Sequence, residues 1–69
     1  MKKKPPTTGQ LIRVVRLDVG LSQQELSERS GVAQNGISKI ENDLRPPDVE
    51  TVQRIAAVLG CPWKDLLAD

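Results

Sequence analysis

Residues 20–41, GLSQQELSERSGVAQNGISKIE, decide how this 69-residue chain folds. Ser22, Gln23, Gln24 and Glu25 spell S-x-x-E, a capping box in which a hydroxyl and a carboxylate satisfy orphan amides at a helix start. Leu21, just before it, is available as the apolar staple. A helix over Gln23–Ser30 follows, turning Leu26 inward and stopping at Gly31. Val32 comes next as a core plug. A second helix spans about residues 34–42, with Ile37 and Ile40 on one face. Its start is weakly marked, because Ala33 has no side-chain oxygen with which to cap. Gly20 closes whatever helix precedes the stretch, since glycine enters the left-handed region without a Cβ penalty.

The flanks continue the helical pattern. Thr7 or Thr8 can cap a first helix over about residues 9–18. Ile12 and Val15 face the core there, and Val19 closes its far end. Leu11 and Val14 form a second apolar stripe, read as core edge or as a surface for a partner. After the central stretch, the Leu-Arg-Pro-Pro run of residues 44–47 breaks the helix. Asp48 caps a fourth helix in which Val49, Val52, Ile55, Ala56 and Leu59 recur at helical spacing, and Gly60 ends it. Pro62 suits the first position of a last short helix carrying Trp63, Leu66 and Leu67. The expected architecture is all-α: a compact five-helix domain over residues 9–69, behind a flexible basic arm over residues 1–8.

Composition narrows the functional classes. One domain of this size has a small core, so partner or dimer contacts can add to its stability. The single cysteine, Cys61, cannot bridge within the chain, which suits a reducing cytoplasmic setting. Packing or simple exposure explains it better than redox sensing does. No run is long enough to cross a membrane. The lysines at positions 2–4 are followed by prolines rather than by an apolar stretch, so they do not read as a secretion signal. They fit a solubility tail, with DNA tracking as the sharper alternative. Ten Lys/Arg stand against nine Asp/Glu, and leaving out the three tail lysines puts the remaining body at −2. Any DNA-binding charge must therefore be concentrated on one face. With no histidine, no second cysteine and no glycine-rich phosphate loop, the usual catalytic triads and metal sites lack their parts, and no cofactor or metal is expected.

Two helices joined by a glycine turn make a helix-turn-helix, whose second helix can lie in the DNA major groove. Leu26, Val32 and Ile37 must meet to set the interhelix angle. Gln34 and Asn35 then sit at the exposed start of the second helix, where a carboxamide can pair with adenine N6 and N7. Such a pair discriminates by roughly 1–3 kcal/mol. Ser38 and Lys39 lie one turn further on, with Lys39 able to reach guanine or a phosphate.

At this point the chain resembles the lambda-repressor-like, Cro-type (XRE) helix-turn-helix regulators. GLSQQEL, SGV, ISKIE and TVQRIAAVLG carry the likeness, which extends over nearly all of residues 9–67. The resemblance implies base contacts from Gln34, Asn35, Ser38 and Lys39. It implies phosphate contacts from Gln23, which would also brace Gln34, and from the loop of residues 42–45, with Asn42 and Arg45 as its contacts. It also implies a structural ion pair between Arg16 and Glu41. Three positions depart from the family pattern: Ala33 at the cap, Asp43 where glycine is common, and Gly36 inside the recognition helix. The function expected is a sequence-specific transcriptional regulator, a repressor, that binds double-stranded operator DNA as a homodimer. Leu59, Trp63, Leu66 and Leu67 are the candidate dimer contacts. The alternative is a protein-binding module, for instance an antitoxin, using Leu11, Val14 and Trp63 on a protein partner.

Overall fold

The computed structural model of the chain describes residues 5–68, and the three tail lysines fall outside them. Four α-helices and one 3-10 turn follow in order: α1 (Thr8–Asp18), α2 (Gln23–Ser30), α3 (Gln34–Glu41), α4 (Val49–Leu59) and the turn Trp63–Leu66. No strand occurs among the described residues. The fifth helix is thus a single tight turn. Its bonds run from the Asp65 and Leu67 amides to the carbonyls three residues back, at 3.0 and 3.2 Å. Four residues between Pro62 and the exit at Leu67 leave no room for a full α-turn to propagate.

Local signals place most of the ends. Thr7, Ser22 and Asp48 each accept a hydrogen bond from the backbone amide three residues on, and the first two complete capping boxes with Gln10 and Glu25. Of the two threonines that could cap α1, Thr7 is the cap and Thr8 is the first residue of the helix. Gly31 and Gly60 take left-handed φ at the ends of α2 and α4.

Ile12, Leu21, Leu26, Ile37, Ile40, Val52, Ile55, Ala56, Leu59 and Leu66 form one buried cluster. All but Leu21, which enters from the loop after α1, come from the apolar stripe of their own element, so α1, α3, α4 and the 3-10 turn close around one centre while α2 packs on α3 and α4. Leu26 and Ile37 are fully buried and Val32 packs against the cluster, which fixes the α2–α3 angle as the spacing requires. Leu11 and Val15 also pack on its edge. Val19 does not close the far end of α1, since it is 45% exposed. The chain turns at Gly20 (φ 78°), and Leu21 enters the core instead. Leu59 and Leu66, expected at a dimer contact, are spent inside the chain at 6% and 1% exposure. The 3-10 turn folds back onto α4 and so brings the two together.

Candidate nucleic-acid interface

α3 shows two faces set by its own sequence. Gly36, Ile37, Ile40 and Glu41 are buried. Asn35, Ser38, Lys39 and Asn42 recur at i, i+3, i+4 and i+7, which puts them on one stripe. Asn35, Lys39, Asn42 and the neighbouring Gln34 are exposed, and Ser38 is half-buried. The residues expected to read bases therefore share one polar surface at the start and middle of α3. What holds that surface out is packing, because the helix start has no side-chain cap at Ala33.

The end of α3 is more elaborate than its start. The amides of Asp43 and Leu44 donate to the carbonyls of Ile40 and Lys39 at 3.1 and 2.8 Å, the two bonds of a Schellman ending. Asp43 occupies the left-handed position at φ 59°, which explains the glycine usual there. Aspartate is among the few other residues that tolerate it. Its carboxylate is engaged: the Thr7 hydroxyl donates to Asp43 Oδ1 at 2.6 Å. Thr7 also accepts from the Gln10 amide, so one hydroxyl both caps α1 and ties it to the loop after α3.

Asn42 and Arg45 are both exposed on that loop. Asn42 turns its amide back to the Ser38 carbonyl at 2.8 Å, which commits one of its two donors. Arg45 lies beside Gly36, where an added Cβ would sit 3.7 Å from its Nη1. Arg45 and Val32 thus border the one glycine within α3, and the open backbone there is covered by side chains rather than bared for close approach.

Behind the surface lies the expected ion pair. Glu41 accepts from Arg16 through both oxygens, Nε to Oε2 at 2.7 Å and Nη2 to Oε1 at 2.9 Å. The glutamate side chain is 1% exposed and that of arginine 8%. Such two-pronged geometry is what makes a desolvated pair tolerable. The carboxylate raises the Arg16 pKa above its ordinary value, chiefly by hydrogen bonding and against the opposing effect of burial. Arg16 Nη1 also reaches the Leu21 carbonyl at 2.8 Å. Gln23 departs from expectation. Its amide donates to Glu41 Oε1 at 3.1 Å, and among the described residues no hydrogen bond joins it to Gln34. The acidic partner is buried and the Gln34 side chain is exposed, so the amide takes the stronger, charged acceptor. Sequence reasoning missed this bond and the Thr7–Asp43 contact, which cross 18 and 36 positions and leave no local signal.

A short helix with a polar outer stripe, set by a glycine turn against a preceding helix and braced from behind by a buried ion pair, is a helix-turn-helix unit. A helix-turn-helix family model matches residues 12–66, and the chain belongs to that family, of XRE type. The chain is similar to the transcriptional regulator SinR of Bacillus subtilis, at 38% identity over 60 residues. That match takes in 86% of this chain and 54% of SinR, so the chain spans about half the length of this relative. Among solved structures it resembles the biofilm regulator SinR in complex with DNA, with a TM-score of 0.86 and 35% identity over 90% of this chain and 100% of that one. It also resembles the P22 c2 repressor bound to a synthetic operator, with a TM-score of 0.82 and 27% identity over 90% and 94% of the two chains.

Proposed function

We propose that this chain is the DNA-binding domain of a sequence-specific transcriptional regulator acting as a repressor. In this reading α3 enters the major groove of operator DNA. The observation that carries it is the exposed polar stripe of α3, held outward by a fully buried Ile37 and the Arg16–Glu41 pair. Two similar structures are complexes with DNA, which supports the same reading. Gln34, Asn35, Ser38 and Lys39 read bases. Gln23, Asn42 and Arg45 hold the backbone.

A homodimer fits the charge balance. One short helix reads few bases, and a body at −2 grips phosphate weakly. Two copies double both contributions and read half-sites about one helical turn apart. With Leu59 and Leu66 internal, the contact falls to the half-buried Trp63 and the exposed Leu67. A protein partner is the second reading, favoured by Val14 and Leu17, which stand 61% and 57% exposed on α1.

Selection of bound sequences from a random duplex pool tests the proposal. A palindrome should be enriched; no enrichment would remove sequence-specific reading and put the protein partner first. On the selected duplex, Gln34→Ala should cost roughly 1–3 kcal/mol in binding and relax the preference at its base. Arg45→Ala should weaken every duplex alike and lower the salt slope by about one. An unchanged slope would remove Arg45 from the backbone contact.

A further inference from the structure

Gln23 stands partly buried at the first position of α2, with its side chain resting on Glu41. Glu41 is a carboxylate already holding Arg16 through both oxygens, and its side chain is 1% exposed. An ionised carboxylate only accepts, so it settles which end of the Gln23 carboxamide turns inward. The nitrogen faces Glu41 and the carbonyl cannot. A primary amide nitrogen has two hydrogens about 120° apart, and one is used. The second is directed away from that bond, and no other hydrogen bond from the Gln23 amide nitrogen occurs among the described residues. The backbone ahead of Gln23 is held by the same group, through the bond from Arg16 Nη1 to the Leu21 carbonyl. Both the Cα position of Gln23 and the rotation of its amide are thus referred to one buried ion pair.

We propose that Glu41 is a positioning residue for DNA-backbone binding: it holds Gln23 so that a single N–H is presented to a phosphate oxygen, independently of Gln34. This rests on the DNA-binding reading above. Gln23 then contacts backbone only, and its donor is oriented before DNA arrives, so less side-chain entropy is lost on binding. Because Gln34 is not part of the arrangement, base reading and this phosphate grip are separable. Residues on the outer stripe of α3 can be changed without loosening Gln23.

Affinities of the wild type, Gln23→Ala, Gln34→Ala and the double variant, measured on the selected duplex and on a random one, test this. Gln23→Ala should weaken both duplexes by the same factor, about tenfold for one lost charge-assisted bond. Gln34→Ala should act on the selected duplex alone, and in the double variant the two factors should multiply to within about twofold. A departure of fivefold or more would mean that Gln23 and Gln34 act as a unit and would overturn the proposal. Side-chain amide NMR of the DNA-free wild type supplies the second readout, which needs no variant to fold. One Gln23 Nε2 proton should exchange with solvent much more slowly than the other, and Gln34→Ala should leave both signals in place. Equal, fast exchange of the two protons would also overturn it. If the wild type binds no duplex, the DNA reading fails with the proposal; if it binds but the cycle is coupled, only the proposal fails.

Discussion

Gly9 and Gly36 pose the same substitution in two surroundings. Alanine is favoured over glycine inside a helix by about 1 kcal/mol, so propensity alone predicts that both changes stabilise. At Gly9 an added Cβ would lie 1.9 Å from the Ile40 carbonyl oxygen and 3.1 Å from Asp43 Oδ1. The first of these is backbone and cannot swing aside. Gly9→Ala must therefore push α1 off the end of α3, at a net cost of about 1–3 kcal/mol or more. It should also break the Thr7–Asp43 bond. At Gly36 the nearest atoms to a built Cβ are 3.7 and 3.8 Å away, ordinary contact distances. Gly36→Ala should gain about 1 kcal/mol. Thermal or chemical denaturation of the two variants checks both signs, and a shift of Gly9→Ala in the stabilising direction would refute the close approach.

Among the elements, α3 depends most on its neighbours. α1 and α2 begin with full capping boxes and α4 with an aspartate cap, whereas α3 begins at Ala33 with no side-chain bond. Its eight residues are too few to be helical alone in water. Burial of Ile37 and Ile40 and the Glu41 bonds hold it in place. Ala33 has φ −58° and ψ 139°, close enough to the extended conformation of a capping residue for a hydroxyl to be introduced without moving the chain. Ala33→Ser should accordingly raise stability by about 1 kcal/mol. Urea denaturation measures it, and an unchanged midpoint would show that the α3 amides are already satisfied by solvent.

Across the whole molecule, the caps set how the fold responds to acid. Hydrogen bonding from Thr51 holds the Asp48 carboxyl below its ordinary value of 3.8, with Arg45 and Arg54 assisting by charge. Hydrogen bonding from Ser22 holds Glu25 below its ordinary 4.5, with a smaller contribution from Arg29. A group with a depressed folded pKa adds stability that is complete above its unfolded value and is lost as pH falls through the folded one. The melting temperature should be level above about pH 5 and should drop below about pH 4. Asp48→Asn keeps a capping oxygen but cannot take up the proton, so its curve should fall less steeply in acid. Matched slopes for variant and wild type would remove Asp48 as a source of the acid response.

Whatever depends on near neighbours in the chain could be read from sequence: the capping boxes at Ser22 and the caps at Thr7 and Asp48, the glycine stops, the inward stripes, and the polar stripe of α3. These follow from the 3.6-residue period and from hydrogen bonds that span three positions. The Arg16–Glu41 pair was expected only from resemblance to a family. Tertiary structure decided the rest. It sent Leu59 and Leu66 inward and Val19 outward, reduced the fifth helix to one turn, and brought Gly9 against the Ile40 carbonyl. It also turned Gln23 toward Glu41 instead of Gln34. Each of these outcomes depends on which elements meet, and a periodic pattern says which face is apolar without saying what covers it. The helix-turn-helix was written locally, while the orientation of the Gln23 amide was set by a carboxylate 18 residues away.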